Sequence, residues 1–253
     1  MPTKTELISQ ISEKEDRILL SSISDKLEKS YQKSIPMYSD FLDARQMILA
    51  KRLFSFYGED LCFFGGIKNA ERQICYLDLG YGELPVVVLQ IVSSDLKSIG
   101  HRDVLGALMG LGVKRQKIGD IVLGEISYFA VKEEIAEYVM ENLLTIGRHP
   151  VRLEPMKAEI PEKEHEFSYR STTVSSLRLD CLISDIAKLS REKAKMLILA
   201  GKVKVNHFED TNYKKQLSVG DVVSVSKKGR FVLEEVEGTT KKDRIKIIIK
   251  KYE

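Results

Sequence analysis

Residues 85–92, PVVVLQIV, form an almost unbroken β-branched run. A strand with no polar side to show solvent belongs near the middle of a sheet covered on both faces. The surrounding sequence then leaves few choices. Residues 101–112 place Val104, Leu105, Leu108 and Leu111 on one helix face, with Gly112 as the stop. Residues 118–123 and 126–131 are two short strands parted by Gly124-Glu125. Residues 132–146 predict a helix with Ile135, Val139 and Leu143 inward, and 151–156 a last strand. The order β-α-β-β-α-β is the split βαβ, or ferredoxin-like, arrangement shared by RRM domains. Upstream, Gly65-Gly66 marks a turn and 73–78 (QICYLD) a strand.

The flanks differ in character. Residues 4–33 carry mixed three- and four-residue apolar spacing, and Ser12 with Glu15 offers a capping box that divides the stretch into two helices. Pro36 breaks the run. Ser39 and Asp40 are candidate caps for a further amphipathic helix over 41–56, closed by Gly58. Residues 157–175 are polar, contain Pro161 and lack periodicity, which predicts a linker or an extended crossing segment. The expected organisation is therefore α+β: a helical part at 1–57, an RRM-like domain at 58–156, a linker at 157–175 and a small α+β domain at 176–253.

Composition narrows the function classes. An apolar share of 43% and a charged share of 30% over 253 residues describe a globular chain. No stretch approaches a membrane span, and the charged first residues do not read as a secretory signal. Cys62, Cys75 and Cys181 form no CxxC pair, and His101, His149, His165 and His207 have no ligand spacing, so neither a disulfide framework nor a metal site is expected. A reducing cytoplasm is the expected compartment. Residues 177–233 hold 12 Lys/Arg against 6 Asp/Glu, although the whole chain is only +3. A basic module on a mildly acidic body points to a polyanionic partner.

That module begins with two short helices, 179–189 and 191–200, the second capped by Ser190 and ended by Gly201. Strands follow at 202–206, 222–226, 230–236 and 244–250, the last with Ile245, Ile247 and Ile249 on one face. Arg191 and Lys195 are four apart on one helix face. In 202–206, Lys202 and Lys204 alternate against Val203 and Val205. Helix and strand are thereby expected to present one basic surface suited to the phosphates of structured RNA.

The hallmarks Arg178-Leu179-Asp180, Ser190-Arg191, Ile198-x-x-Gly201-x-Val203-x-Val205-Asn206 and Gly220-Asp221 make this module resemble the S-four RNA-binding domain. The resemblance implies an RNA face that includes Arg178, Ser190, Arg191, Lys195, Lys202 and Lys204. Asn206, Lys214 and Arg230 are added as further candidates, with Asp180 structural. Phe41-Leu42-Asp43, Gly65-Gly66, Ala70-Glu71-Arg72 and above all HRDVLGALMGLGVKRQKIGDI (101–121) extend the likeness over nearly the whole chain. In these the chain resembles YlmH-type bacterial proteins, which combine a helical part, an RRM-like middle and an S-four domain. Ala44 departs from the proline expected after Phe-Leu-Asp. The family implies binding to rRNA and tRNA on the large ribosomal subunit, in rescue of stalled nascent chains, by a protein that is monomeric off the ribosome.

The middle domain offers a second candidate contact: His101, Arg102 and the loop cations Lys114, Arg115 and Lys117. Base stacking on its sheet is the weaker expectation, since 85–92 has no aromatic and 127–131 supplies only Tyr128 and Phe129. His101-Arg102-Asp103 echoes the kinase catalytic triplet, but Leu108 stands where a metal-holding Asn is needed, and Asp103 suits a helix's first turn. Gly106, Gly110 and Gly112 match no nucleotide loop. A non-enzymatic RNA-binding protein without cofactor is the expectation. The alternative is an RNA-modifying enzyme that holds its substrate with the same module.

Overall fold

The computed structural model describes residues 3–11, 13–55, 58, 60–80, 82–156 and 167–252. The protein is α+β and divides into two compact units, residues 1–163 and 164–253.

In the first unit α1 (Lys4–Ser9) and α2 (Lys14–Lys33) are separate helices. A capping box at Thr3 and Glu6 starts α1: the Glu6 N–H donates to Thr3 Oγ1 at 3.2 Å and the Thr3 N–H to Glu6 Oε2 at 2.7 Å. The expected cap Ser12 lies outside the described residues; α2 is capped by Glu13 without a side-chain bond. The third helix, α3 (Ala44–Ser55), begins three residues later than expected. Ser39 and Asp40 do not cap it. Asp43 does, accepting from the Gln46 N–H at 2.9 Å while Gln46 returns a bond to the Asp43 N–H. Ala44 is thus the first helical residue, the position where proline is most at home, so the departure from the family pattern costs little.

Strands β1 (Cys62–Phe64) and β2 (Ile74–Tyr76) pair as a small hairpin. Then come β3 (Val86–Val92), α4 (His101–Gly110), β4 (Ile118–Val122), β5 (Ser127–Lys132), α5 (Glu133–Asn142) and β8 (Arg152–Pro155). The short strands β6 (Thr145–Ile146) and β7 (His149–Pro150) form a turn-closing pair between α5 and β8. The helix expected to reach 146 stops at Asn142 because its last residues are used in this pair. The four-stranded sheet runs β4-β5-β3-β8, all antiparallel, which is the ferredoxin order with β3 inside.

Both faces of that sheet are covered. Helices α4 and α5 seal one through Val104, Leu108, Ala136 and Val139 against Leu89, Ile91, Phe129 and Val131. On the other, Phe41, Ile67, Ala70 and Ile74 pack on Val88, Tyr128 and Ala130. Tyr128 is 2% exposed and Phe129 0%. The middle sheet therefore has no open aromatic platform, and the base-stacking expectation falls. The same packing joins segments 1–57 and 58–156 in one unit, although their compositions differ.

The polar keystone is Asp120, 5% exposed. Its carboxylate accepts the backbone N–H groups of Glu71 (2.8 Å) and Arg72 (3.0 Å). Arg72, its guanidinium pKa lowered by burial, donates to the carbonyls of Ile118 and Phe41, each at 3.1 Å. Phe41 in turn lies so close to Gly119 that an added Cβ would fall 2.7 Å from its ring. Gly65 is equally tight, with a Cβ there 2.4 Å from Ala70. The scattered motifs Phe-Leu-Asp, Gly-Gly, Ala-Glu-Arg and Ile-Gly-Asp thus meet at one knot and serve packing.

The second unit is a six-stranded sheet in the order β11-β10-β12-β13-β14-β9. Strand β9 (Phe167–Val174) occupies much of the segment expected to be a linker and pairs with β14 along its whole length; 157–166 lie outside the described residues. Helices α6 (Leu179–Ile186) and α7 (Arg191–Leu199) follow. Strands β10 (Val203–Val205), β11 (Phe208–Glu209), β12 (Val222–Val225), β13 (Gly229–Thr239) and β14 (Ile245–Tyr252) complete it. Leu182, Ile183, Ala194 and Ile198 pack on Val203, Val205, Val223, Phe231, Ile247 and Ile249, so the helices cover one face of the sheet.

Asp120→Ala should lower stability by about 2–4 kcal/mol, because two backbone donors lose their acceptor and Arg72 its counter-charge. Lys114→Ala, at an exposed loop position, should stay within about 0.5 kcal/mol. Urea unfolding of both variants checks this.

Candidate nucleic-acid interface

The start of α6 is organised by a carboxylate. Asp180, 4% exposed, receives Arg178 through Nε at 3.0 Å and Nη2 at 2.9 Å, and Arg191 Nη2 at 3.0 Å. Arg178 is the N-cap of α6 and Arg191 the first residue of α7, so one acid ties the two helix starts together. Burial alone would raise the Asp180 pKa, but the hydrogen bonds and charges of Arg178 and Arg191 outweigh it and hold the carboxyl below its ordinary 3.8. Arg191 is raised in return, chiefly by its bond to Asp180. Ser190 is exposed and caps α7, its Oγ accepting the Lys193 N–H at 3.3 Å.

Beside this clamp stands Tyr213, which the sequence reading missed. Three cations approach its ring: Lys195 Nζ at 5.1 Å, Lys214 Nζ at 5.7 Å and Arg178 Cζ at 5.9 Å from the centroid. Tyr213 lies in a loop of Asn, Tyr and Lys with no periodic signal. Only its place between basic residues could have marked it. The result is a compact cationic face around an aromatic ring, with Glu192 as the near acid, 3.7 Å from Lys195. An open cavity of about 360 Å³ adjoins it, lined in part by Lys188, Arg191 and Arg244. Guanidinium edges fixed by a carboxylate, with ammonium groups beside an aromatic ring, are groups of the kind that bind phosphate and stack bases.

The structure divides the remaining candidates. Exposed Lys202 and Lys204 flank the buried Val203, so they leave the sheet on the side away from α6 and α7. Lys204 is in register with Ser224 and through it with Arg230. The single basic surface of helix and strand is therefore two surfaces, one on each face of the sheet. Asn206 is spent on a turn: its Nδ2 donates to Asp221 at 2.7 Å, and its Oδ1 accepts the Val222 N–H at 2.9 Å.

Of the first unit's candidates, Arg115 and Lys117 are engaged within the fold. Arg115 donates to the Ile118 carbonyl at 2.6 Å, and burial, aided by Arg72, lowers its pKa to about 10. Lys117 bridges Asp40 at 2.6 Å and Glu134 at 2.5 Å; burial would lower its pKa, but the two acids raise it overall. Both side chains are half-buried and bonded within the unit. His101, Arg102 and Lys114 are exposed, and Asp103 is held at the start of α4, accepting the Gly100 N–H at 2.9 Å. Among the described residues no group of three His, Cys, Asp or Glu side chains could hold a metal ion, and no helix is long and apolar enough to cross a membrane.

The Asp180 clamp gives a pH signature. Its folded pKa lies below that of the unfolded chain, so its stabilisation is complete above the ordinary value and drains away as pH falls through the folded value. Wild type should lose stability below about pH 4, whereas Asp180→Asn should be weaker at pH 7 and flatter through that range. Denaturant midpoints at a series of pH values check it.

Residues 85–160 match the family model described as "Putative RNA-binding domain in YlmH". Ribosome-associated protein quality control protein P2 of Bacillus subtilis (strain 168) is 35% identical over 221 residues, covering 83% of this chain and 84% of that protein. The cell division protein ylmH from Streptococcus pneumoniae aligns at 25% identity and a TM-score of 0.48, over 58% of this chain and 94% of that one. Identity of this degree, running through both units, makes the chain a member of the YlmH family of RNA-binding proteins.

Proposed function

We propose that this protein is a non-catalytic RNA-binding factor of the ribosome. It holds rRNA of the large subunit, together with tRNA, during rescue of stalled nascent chains in the cytoplasm. The observation that carries the reading is the face built from Arg178, Arg191, Lys195 and Lys214 around Tyr213. Arg178, Arg191 and Lys195 are among the residues that the S-four resemblance implies, and the two guanidinium groups are held by Asp180. The Bacillus subtilis relative, named for ribosome-associated quality control, supports the same setting here because the similarity spans both units. The sealed middle sheet supports a binding role by its helices and loops, with Arg102 and Lys114 among its outward cations.

The test is sucrose-gradient sedimentation of tagged protein from gently lysed cells, wild type beside Lys195→Glu/Lys214→Glu. Wild type should travel with large subunits and the variant stay at the top. If about five phosphates are contacted, affinity for isolated subunits should fall with salt at a log–log slope of roughly −3.5 to −4.5. Wild type remaining at the top in low salt would overturn the ribosomal reading. Loss of an rRNA or tRNA modification from a deletion strain, seen by mass spectrometry, would instead favour an RNA-modifying enzyme.

A further inference from the structure

We infer that the sheet face of the C-terminal unit turned away from α6 and α7 is a second RNA-binding surface, which takes single-stranded RNA by stacking its bases on Phe167, Tyr169 and Tyr252. The strand register places these rings together. Phe167 pairs with Tyr252 and Tyr169 with Lys250 across β9 and β14, and continuing the β13–β14 register sets Arg230 beside Tyr252. The contacts agree. Phe167 and Tyr252 meet edge to face with centroids 5.0 Å apart. Lys250 Nζ stands 4.1 Å from the Phe167 centroid and 6.0 Å from that of Tyr169, and Arg230 Cζ is 5.1 Å from that of Tyr252.

Two features argue for a ligand. Phe167 is 36% and Tyr169 59% exposed, and both lie on the outermost strand, where large rings add nothing to the helix-covered core. Residues 167 and 169 point the same way, about 6.7 Å apart along the strand. Cations outnumber acids beside them: Lys204, Arg230, Lys246 and Lys250 lie on this face by register, against Glu209 paired with Lys204, Glu234 3.8 Å from Lys250 and Glu235 paired with Ile248. Exposed rings interleaved with cations on an open antiparallel sheet are the physical requirement for sequence-tolerant binding of unpaired bases. A duplex would offer no base faces, and an acidic protein surface would not need three rings. The site stands apart from the proposed helix face, because the core of the sheet separates them.

The chain contains no tryptophan, so Tyr169→Trp introduces one emitter at the site. Full-length Tyr169→Trp should be quenched on titration with a 12-nucleotide oligoadenylate RNA, with saturation. Phe167→Ala/Tyr169→Ala should weaken binding of the same fluorescein-labelled oligonucleotide by 10-fold or more, while Lys195→Glu/Lys214→Glu changes it less than about 3-fold. Failure of the latter pair to sediment with ribosomes, with oligonucleotide binding intact, separates the two surfaces. An unquenched tryptophan, or unchanged affinity in the double alanine variant, overturns the inference. So does equal loss in the Lys195/Lys214 variant, since binding would then belong to the helix face.

Discussion

Asp120 is a buried carboxylate on β4, and it is satisfied only if the 70–72 turn comes to it. Once that turn is fixed, Arg72 reaches back to Phe41 and Ile118, and Phe41 closes on Gly119. Much else in the first unit follows from this arrangement. The segment before α3 must lie across the sheet, so the sheet has no free face. The loop after α4 must pass Asp40 and Glu134, so Lys117 is consumed there. Removing one acceptor from such a network leaves several donors stranded at once, which is why its members depend on one another so closely.

The second unit solves the opposite problem. Its sheet has the same antiparallel logic, but two short helices cover one face only. A single acid again does the organising. Asp180 lies at the junction of two helix starts, and its partners are surface guanidinium groups. The first carboxylate therefore closes a unit, while the second aims charges outward. An arginine whose one edge is held by a carboxylate keeps its other N–H groups in a set direction, so less order has to be imposed when phosphate arrives.

How far this was legible in the sequence depends on where the physical signal lay. The run at 85–92 and the apolar spacing of 101–112 specify their elements because the strand packs on both faces and the helix along one, and both form where expected. The 176–252 elements were readable for the same reason, with Ser190 and Gly201 bounding α7. Strand β9 was not, because its alternation of apolar with polar, Phe-Ser-Tyr-Arg, lasts only four residues before Ser-Thr-Thr. Its outer side is aromatic and its inner side is polar toward Asp185, where Arg170 and Thr172 bind. Pairing with β14, far along the chain, makes it a strand. Loop contacts were not legible for the same reason: nothing local tells that Arg115 faces carbonyls or that Asn206 closes on Asp221.

Charge composition and charge availability separate for the same reason. The basic module carries twice as many cations as acids, yet several acids are placed against the cations that matter. Asp180 takes Arg178 and Arg191, Asp210 takes Lys215, and Glu192 stands near Lys195. A module made only of unpartnered lysines would bind any polyanion and release it readily as salt rises. Partnering part of the charge lowers that general attraction and leaves geometry to do more of the selection. On the proposed function, the lysines around Tyr213 supply steering, the guanidinium pair direction, and the ring a contact that a sulfate or an acidic peptide cannot imitate. Selectivity for RNA over other polyanions would then follow from this division of roles more than from the net charge.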